Sequence, residues 1–328
     1  MPAKSNRPSH RSASLKLALP ATSANLGPAF DAAALALGLF LKIRADISEE
    51  FSIAARGRDA GLCAQLENNL ILTTYSEILQ RESKRVQPLA LHIENEIPVG
   101  KGCGSSAAAR LAGIALAVHF GRLPWDDARI VGEASRREHH PDNAAACWYG
   151  GLAVARMSGE AEAQVASIVP RGKWPLLLAV PDGALSTEQS RHVLPEHYRR
   201  ADAVVNIQNS MLLLAAFVQG RRDLLASSLE DRIHQPYRAS LCPLLPALQE
   251  LKGWVGILGS VLSGAGPSML IFLDGNCHVS PVIPKIQAHL RNRGLSAELI
   301  LAGITRRGAR EIRGWRANPR AAAVAPHC

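Results

Sequence analysis

The sequence feature that most constrains the fold is a glycine-rich loop joined directly to an alanine-rich helical run. Glycine lets backbone N–H groups approach an anion without a Cβ in the way, and the first turn of a helix offers unpaired N–H groups at the positive end of its dipole. The junction therefore predicts a polyphosphate site. Its residues are Pro98, Val99, Gly100, Lys101, Gly102, Cys103, Gly104, Ser105, Ser106, Ala107 and Ala108.

Two hydroxyl side chains, Ser105 and Ser106, stand where this helix is predicted to begin. Either hydroxyl can cap the helix, and a serine at this position can also reach a metal ion bound to phosphate. The structural alternative is a glycine-rich turn, capped by serine, before a buried helix. The loop by itself does not decide between the two interpretations.

The spacing of the loop excludes two better-known phosphate loops. The Walker pattern needs a Lys-Ser or Lys-Thr pair after its last glycine, whereas Lys101 precedes Gly102 and Gly104. The dinucleotide pattern is G-x-G-x-x-G, whereas the spacing here is G-x-G-x-G. Other stretches of the chain must therefore identify the kind of site.

Length and charge bound the class of protein. The chain has 328 residues, enough for two domains of ordinary size, and a formal net charge of +9. Because much of the excess lies near the ends, we expect no nucleic-acid partner, and a basic balance also suits anionic ligands. The basic residues near the ends are Lys4, Arg7, Arg11, Arg306, Arg307, Arg310, Arg313, Arg316 and Arg320.

The cysteines and the apolar runs predict a cytoplasmic protein. The 6 cysteines show no C-x-x-C spacing, which favours free thiols in a reducing compartment. The longest apolar run, Met211 to Val218, is too short to span a bilayer, and no secretion signal is evident, so we expect no membrane partner. Residues 1–13 faintly resemble a transit peptide but are predicted to be a disordered tail.

The hydrophobic pattern predicts a mixture of strands and helices, an α+β chain. Alternation at Leu15, Leu17 and Leu19 predicts a strand that stops at Pro20 and leads into a loop over 21–28. Further strands are predicted at 37–47, 89–94, 152–157, 175–180, 255–263, 268–274 and 297–301, and helices at 69–82, 105–120, 125–137, 203–219, 245–252 and 283–294.

A change of character near 169–174 predicts a domain boundary. The predicted organisation is a disordered tail over 1–13, an N-terminal ATP-binding domain over 14–170, a C-terminal domain over 171–305 and a basic tail over 306–328. The ATP-binding assignment follows from the resemblance described next.

Three more motifs accompany the phosphate loop. Residues 20–31 read P-A-T-S-A-N-L-G-P-A-F-D, residues 138–143 read E-H-H-P-D-N, and residues 263–267 read S-G-A-G-P. With these motifs in this order, the chain resembles the GHMP kinases, and among them most closely the homoserine kinase family, over roughly residues 15–304.

The resemblance implies a two-domain GHMP kinase fold, with a ribosomal-S5-like N-terminal domain and a ferredoxin-like C-terminal domain. It implies transfer of the γ-phosphoryl group of ATP to the side-chain hydroxyl of L-homoserine, giving O-phospho-L-homoserine in threonine biosynthesis. Phosphoryl transfer mainly needs positioning and charge neutralisation, which a loop of N–H donors, a metal carboxylate and an acceptor clamp can supply. Homoserine kinases are commonly dimers, so a homodimer is also expected.

The resemblance also implies roles for particular residues. By motif position, Ser106 and Glu138 hold Mg²⁺ and, together with Asn25, form the catalytic set. Arg191 and Arg238 match positions that bind the acceptor carboxylate, which suits the planar fork of arginine. Without the motif context, Glu138 and both arginines would be read as solvated surface charges. The complete predicted acceptor site is Asn25, Asp31, His140, Thr187, Arg191 and Arg238.

No residue stands out as a general base, which agrees with the family, where the hydroxyl is thought to lose its proton without a dedicated carboxylate. Three positions depart from the family pattern: Ala29 and His139 each replace a glycine, and Cys103 replaces a leucine. Since Ala29 needs φ below zero, we expect an altered turn before Asp31, and His139 adds bulk at the substrate end.

Two alternative functions stay open. One is a GHMP kinase that acts on another small alcohol, although the P-G-K segment typical of mevalonate-kinase-like members is absent. The other is a non-catalytic binding protein that keeps the fold. Zinc binding by His139 and His140 is not expected, because no second pair of ligands follows at a suitable spacing.

Overall fold

The computed structural model of the chain describes residues 14–311, so the predicted tail over 1–13 and residues 312–328 lie outside the described part. The strands are β1 (Leu15–Asn25), β2 (Ala29–Ile47), β3 (Ser52–Gly57), β4 (Leu89–Asn95), β5 (Leu152–Met157), β6 (Ala163–Ile168), β7 (Leu176–Val180), β8 (Ile257–Leu262), β9 (Met269–Leu273) and β10 (Glu298–Ala302).

The helices give the rest of the framework, and the mixture confirms the predicted α+β class. They are α1 (Ala60–Cys63), α2 (Leu70–Arg81), α3 (Ser105–Gly121), α4 (Asp127–Glu138), α5 (Asp142–Tyr149), α6 (Thr187–His192), α7 (Arg200–Gln219), α8 (Arg222–Ser228), α9 (Gln235–Arg238), α10 (Leu244–Gln249) and α11 (Val282–Arg291), with a 3₁₀ helix at Ala309–Glu311.

The strands form two sheets that follow one another in the chain. In the first, the order is β3-β4-β2-β5-β6, and β1 pairs with β2 outside this path. Strand β2 is 19 residues long and pairs with β1, β4 and β5, so it is the central strand of the N-terminal half. The second sheet has the order β10-β7-β9-β8 and is antiparallel throughout.

Helix α3 is the buried helix that the alanine-rich run predicts. Most of its residues between Ala107 and Val118 are buried, because the helix is apolar on nearly every side. It packs against α2, α4, α5 and β1. A Cβ at Gly113 would come within 2.5 Å of the carbonyl oxygen of Ile71, so this glycine permits the close approach of α2 and α3.

The prediction that the first strand stops at Pro20 is wrong. Strand β1 continues to Asn25, with a register shift between Pro20 and Ala21. Proline lacks an N–H donor and is tolerated where a strand has a free edge or a bulge. Because β1 pairs only with β2 among the described strands, both conditions are met here. Strand β2 likewise begins at Ala29 rather than near Leu37.

Several elements are absent from the sequence predictions. Helix α5 was missed because its short, small-residue sequence has no clear amphipathic period. Strands β3 and β6 were missed because most of their residues are at least partly exposed, so they lack a strong apolar alternation. The short helices α1, α6, α8 and α9 contain at most seven residues each, which is too few for a periodic signal.

The segment that follows β10 returns to the first sheet. Gly38 donates a backbone hydrogen bond to Gly303 at 2.9 Å, and Thr305 donates to Ala36 at 3.0 Å. Further on, the guanidinium of Arg310 lies 4.5 Å from the centre of the Tyr149 ring. Residues 306–311, which we assigned to a basic tail, therefore pack against the N-terminal half as part of the fold.

Helix α7 is the one described helix that is long and apolar enough to cross a membrane by length and composition. A single such helix is weak evidence, since core helices of soluble proteins pass the same test. Here α7 also contacts the rest of the fold through buried residues. Its Asn206 side chain donates to the carbonyl of Pro28 at 2.6 Å, so the helix supports the loop between β1 and β2.

Candidate active site

A cavity of about 1090 Å³ lies where loops of the two sheets meet. Its walls come from the phosphate loop, the β1–β2 turn, the ends of α4 and α5, and the C-terminal elements α6 and α9. The volume is slightly above the roughly 300–1,000 Å³ that is typical of ligand and cofactor sites. The four sequence motifs, which are far apart in the chain, all contribute to it.

The three glycines of the phosphate loop have left-handed backbone conformations. The φ angles of Gly100, Gly102 and Gly104 are 70°, 75° and 71°. A Cβ at Gly102 would overlap the carbonyl oxygen of Ser263, and Ser263 Oγ donates to the Gly102 carbonyl at 2.8 Å. The S-G-A-G-P turn therefore packs directly on the phosphate loop.

Neither serine caps helix α3. Gly104 occupies the N-cap position, and no side chain accepts a hydrogen bond there. Ser105 Oγ instead accepts from the Gly100 N–H at 3.3 Å, and Ser106 Oγ donates to Glu138 at 2.7 Å. The first-turn N–H groups of α3 are therefore not taken by a cap, which is the condition for an anion to bind there.

Only part of the predicted phosphate-binding stretch lines the cavity. Four residues of the stretch are buried and do not line the cavity, namely Pro98, Cys103, Ala107 and Ala108. The Lys101 side chain does not line the cavity either. Its ammonium donates to the carbonyls of Asp182 and Gly183, the latter at 2.8 Å. The residues that do line the cavity are Val99, Gly100, Gly102, Gly104, Ser105 and Ser106.

Cys103 is a core residue of the loop. It is fully buried, and burial raises the pKa of its thiol to about 11. A small apolar side chain is therefore sufficient at this position, and the exchange of leucine for cysteine leaves the cavity wall unchanged. All described cysteines are free, as the absence of C-x-x-C spacing predicts.

We expect Gly104→Ala to destabilise the protein far more than Gly100→Ala. Both positions have positive φ, which costs alanine about 1–2 kcal/mol. At Gly104 the new Cβ would also overlap Thr22 Oγ1, whereas at Gly100 the nearest atom is 3.9 Å away. Thermal unfolding of both variants measures the difference. Equal unfolding temperatures would contradict the close packing of Gly104 on β1.

Ser106 and Glu138 come together at the mouth of the phosphate loop. One carboxylate oxygen of Glu138 accepts from Ser106 Oγ at 2.7 Å, and the other accepts from Arg110 Nε at 2.5 Å. Two adjacent oxygen ligands beside a phosphate site fit Mg²⁺, which usually takes one or two carboxylates together with phosphate and water. Arg110 was missed, because its ion pair depends on the packing of α3 against α4.

The same cavity contains a charged pocket formed by Asn25, Asp31, His140, Asp142, Thr187, Arg191 and Arg238. Asn25 Nδ2 donates to the Gly264 carbonyl at 2.8 Å, and its Oδ1 accepts from the Asp31 N–H at 3.0 Å. Thr187 begins α6 after a capping box at Ser186 and Gln189. All six predicted acceptor residues thus line one pocket, and their roles stay predictions.

The Arg191–Asp31 ion pair closes part of the charged pocket. Arg191 Nη2 donates to both carboxylate oxygens of Asp31, at 2.8 and 2.9 Å. Burial and the nearby Asp142 raise the pKa of Asp31 above its ordinary value, although Arg191 and His140 act in the opposite direction. The carboxyl group is therefore partly desolvated and depends on cationic neighbours.

His140 and Asp142 form a second polar pair in the charged pocket. Their side chains are joined at 2.6 Å between Nδ1 and Oδ1. Burial alone would lower the pKa of His140, but the charges of Asp142, Asp31 and Glu138 raise it overall. Asp142 Oδ2 is buried without a hydrogen-bond partner among the described residues. Asp142 was not among the predicted site residues, although it stands inside the E-H-H-P-D-N motif.

Asp31, His140 and Asp142 also form a group whose ligand atoms lie within 4.8 Å of one another. Such a group suits a cation. The zinc alternative weighed from the sequence paired His140 with His139, whereas the structure bonds His140 to Asp142 and places Asp31 nearby. In a pocket that also holds two arginines, a cationic group of a small ligand fits this position.

Arg238 is held in one orientation by its neighbours. It is 1% exposed, its Nε donates to the Ser190 carbonyl at 3.0 Å, and Nη1 donates to His234 Nδ1 at 3.1 Å. Because a guanidinium only donates, His234 Nδ1 accepts, and the proton of the imidazole is on Nε2, which donates to the Gly27 carbonyl at 2.8 Å. Burial lowers the pKa of His234, so the ring is neutral.

Phe30 completes the support of the two arginines. Its ring stacks on His234 with centroids 5.2 Å apart, and the guanidinium carbons of Arg191 and Arg238 lie 5.6 and 5.4 Å from its centre. His234 and Phe30 were missed as site residues. Phe30 stands inside the motif over 20–31 and His234 stands four residues before Arg238, but only the fold reveals that they contact the arginines.

The two glycine replacements have different consequences. Ala29 is not among the residues with positive φ, so alanine fits there without strain. The left-handed residues of this turn are Asn25, Leu26, Gly27 and Asp31. His139, in contrast, caps the C-terminus of α4 with a φ of 66°, a position where glycine is favoured.

We therefore expect His139→Gly to stabilise the protein by up to about 1 kcal/mol, since it removes left-handed strain at an exposed residue. The measurement is the free energy of unfolding in denaturant. His139→Ala is the matched control, because alanine keeps the strain and removes the imidazole. Similar gains in both variants would attribute the effect to the side chain rather than to the backbone.

Comparisons with known proteins agree with the motifs. The family described as GHMP kinases N terminal domain matches residues 69–151, and GHMP kinases C terminal matches residues 213–292. A homoserine kinase from Solibacter usitatus is 41% identical over 293 residues, covering 89% of this chain and 95% of the relative. A homoserine kinase from Synechocystis sp. is 38% identical and covers 80% of this chain and 86% of the relative.

Solved structures share the architecture. A homoserine kinase from Cytophaga hutchinsonii superposes with a TM-score of 0.75 at 22% identity, covering 94% of this chain and 98% of that one. A putative homoserine kinase from Listeria monocytogenes gives a TM-score of 0.68 at 27% identity, with 89% and 97% covered. The two-domain GHMP kinase fold is confirmed, and the chain belongs to the homoserine kinase family of the GHMP kinases.

Proposed function

We propose that the protein transfers the γ-phosphoryl group of ATP to the side-chain hydroxyl of L-homoserine, giving O-phospho-L-homoserine in threonine biosynthesis. The observation that carries the proposal is the charged pocket beside the phosphate loop, which combines acidic side chains with Arg191 and Arg238. Homoserine is a zwitterion with a hydroxyl group, so it needs cationic donors for its carboxylate and acceptors for its ammonium. The kinase relatives supply the reaction type.

ATP occupies the phosphate-loop side of the cavity in this proposal. The backbone N–H groups between Gly100 and Ser106 hold its phosphates at the positive end of α3. Ser106 Oγ and the Glu138 carboxylate hold Mg²⁺, whose chemistry is to neutralise charge on the transferring phosphoryl group. Arg110 orients the Glu138 carboxylate from the side of α3. The remainder of the cavity, between α1 and the start of α2, has room for the base.

The charged pocket positions the acceptor. Arg191 and Arg238 bind its carboxylate, while Asp31 and Asn25 bind its ammonium, and Thr187 contributes a hydroxyl at the start of α6. His140, oriented by Asp142, faces the hydroxyl of the acceptor. Holding the hydroxyl in line with the γ-phosphoryl group provides most of the catalysis that such a loose transition state requires.

A coupled assay of ADP release tests the function. Dialysed protein with ATP and Mg²⁺ should turn over L-homoserine, and mevalonate or galactose should give little activity. Equal turnover of a carboxylate-free alcohol would favour another acceptor within the GHMP kinases. Binding of ATP and homoserine without turnover would favour the non-catalytic alternative. A cytoplasmic homodimer stays a prediction from the resemblance and the cysteine pattern.

A further inference from the structure

Lys101 stands in the middle of the phosphate loop, but both its backbone and its side chain are bound by the C-terminal half of the chain. Its carbonyl accepts from the Ser268 N–H at 3.3 Å, and its ammonium donates to the carbonyls of Asp182 and Gly183, the latter at 2.8 Å. Neither Lys101 nor the two residues that accept from its ammonium line the cavity. The phosphate loop is therefore fastened to the C-terminal half at Lys101, outside the cavity wall.

The two carbonyls belong to a mostly exposed segment over residues 182–189, which leads from β7 into α6. Apart from the internal bonds of α6, the hydrogen bonds of this segment in the described part of the chain come from Lys101. Leu185 adds an apolar contact with the core of the C-terminal half. A Cβ at Gly100 would lie 3.9 Å from the Cβ of Ala184, so the segment also lies against the phosphate loop.

We propose that Lys101 is a positioning residue: through the carbonyls of Asp182 and Gly183 it fixes the start of α6 relative to the phosphate loop, and its ammonium does not bind ATP. The inference rests on the proposed function, which gives Thr187 and Arg191 of α6 to the acceptor. Phosphoryl transfer depends mainly on holding the attacking hydroxyl in line with the phosphoryl group. A link between the loop that holds the donor and the helix that holds the acceptor therefore serves the reaction directly.

The phosphate site has donors of its own and does not need this ammonium. Neither Ser105 nor Ser106 caps α3, so the N–H groups of its first turn are available to an anion. The ammonium of Lys101, in contrast, has three donors and directs two of them to backbone carbonyls. Removal of these donors would leave residues 182–189 without a hydrogen bond to the phosphate loop.

Lys101→Met tests the proposal, because methionine keeps an unbranched side chain but cannot donate. Steady-state assays of ADP release should show a roughly tenfold rise in the KM for L-homoserine and a change of less than about threefold in the KM for ATP. Lys101→Arg should restore most of the lost affinity, since a guanidinium can also donate to two carbonyls. A rise confined to the KM for ATP would make Lys101 a ligand of ATP and overturn the proposal, as would unchanged values for both substrates.

Arg58→Met is the matched control, because it removes another charged contact between the two halves of the chain. The two terminal nitrogens of Arg58 donate to the carboxylate of Glu298 at 2.8 and 2.6 Å, and this contact does not involve residues 182–189. We expect the KM for L-homoserine of this variant to stay within about threefold of that of the unmodified protein. An equal rise in Arg58→Met and Lys101→Met would reduce the effect to general loosening of the halves and overturn the proposal.

Hydrogen exchange followed by mass spectrometry gives a readout that does not depend on the acceptor. The N–H groups of Gln189 and Ser190 both donate to Ser186 at the start of α6. Their exchange should be faster in Lys101→Met and unchanged in Arg58→Met. In the unmodified protein, addition of ATP should not accelerate exchange at these amides. Faster exchange with ATP would show that the nucleotide draws Lys101 away from α6, and it would overturn the proposal.

Thermal unfolding establishes that the variants are folded. If Lys101→Met does not fold, the exchange of the unmodified protein with and without ATP decides. The proposed function fails separately, through absence of ADP release with L-homoserine from the unmodified protein. In that case the exchange results alone test the link: faster exchange at α6 in Lys101→Met supports it, and equal exchange overturns it.

Discussion

Replacement of Glu138 by glutamine is expected to lower kcat by roughly two to four orders of magnitude. The amide keeps the size of the side chain and can still bond to Ser106, but it lacks the negative charge that we propose holds Mg²⁺. Metal ions contribute several kcal/mol to the stabilisation of charge on a transferring phosphoryl group, and each 1.4 kcal/mol is tenfold in rate. A steady-state assay with saturating ATP and homoserine measures the loss.

Arg110→Met separates the proposed metal role of Glu138 from its ion pair with Arg110. This variant breaks the contact with Arg110 but leaves the carboxylate in place. We expect it to lose much less activity than Glu138→Gln. Binding of Mn²⁺, followed by electron paramagnetic resonance in the presence of nucleotide, should weaken steeply only in Glu138→Gln. Comparable losses in both variants would make Glu138 a structural partner of Arg110.

Arg238→Leu is expected to raise the KM for homoserine by roughly thirty-fold to several-thousand-fold, since loss of one partner in a desolvated charged contact costs about 2–5 kcal/mol. The KM for ATP should move little, because the contacts of Arg238 are with Ser190, His234 and Phe30 and not with the phosphate loop. The structure adds that Arg238 is fully buried, so leucine also leaves His234 Nδ1 and the Ser190 carbonyl without their donor.

Thermal unfolding of Arg238→Leu must therefore accompany the kinetics. His234→Asn is a useful companion variant, because asparagine can still present an acceptor to Arg238 while it loses the contact with Gly27. We expect an intermediate rise in the KM for homoserine. A KM for ATP that rises in parallel with that for homoserine in either variant would indicate general loss of structure rather than loss of the carboxylate clamp.

Local sequence predicted much of the fold. The apolar run of α3, the helical spacing of apolar residues in α2 and the alternation in β4 each carry their own signal, and these elements were predicted to within a few residues. The part of β1 that follows Pro20 was not predicted. Whether a strand tolerates proline there depends on which strand pairs with β1 and where the register shifts. Such information is non-local and is absent from any short window of sequence.

The same distinction between local and non-local information applies to the candidate active site. The motifs identified residues that line one cavity, but they did not reveal the contacts between those residues. The Arg191–Asp31 pair joins residues 160 positions apart, and Arg110 meets Glu138 across two helices. Lys101 illustrates the reverse: its place in the loop predicted a phosphate ligand, whereas its ammonium contacts carbonyls of the C-terminal half. Partners of this kind follow from the packing of the two halves and not from spacing.

Because residues 303–311 return to the first sheet, the N-terminal half depends for its folding on residues that are synthesised much later. The carbonyl of Ala36 accepts from Thr305, and the Gly151 N–H donates to the Thr305 carbonyl at 2.8 Å. Thr305 follows Ala36 by 269 residues and Gly151 by 154 residues, so it is synthesised long after both of its partners. The N-terminal half therefore cannot complete its hydrogen bonds until the ribosome has synthesised the C-terminal half as far as Thr305.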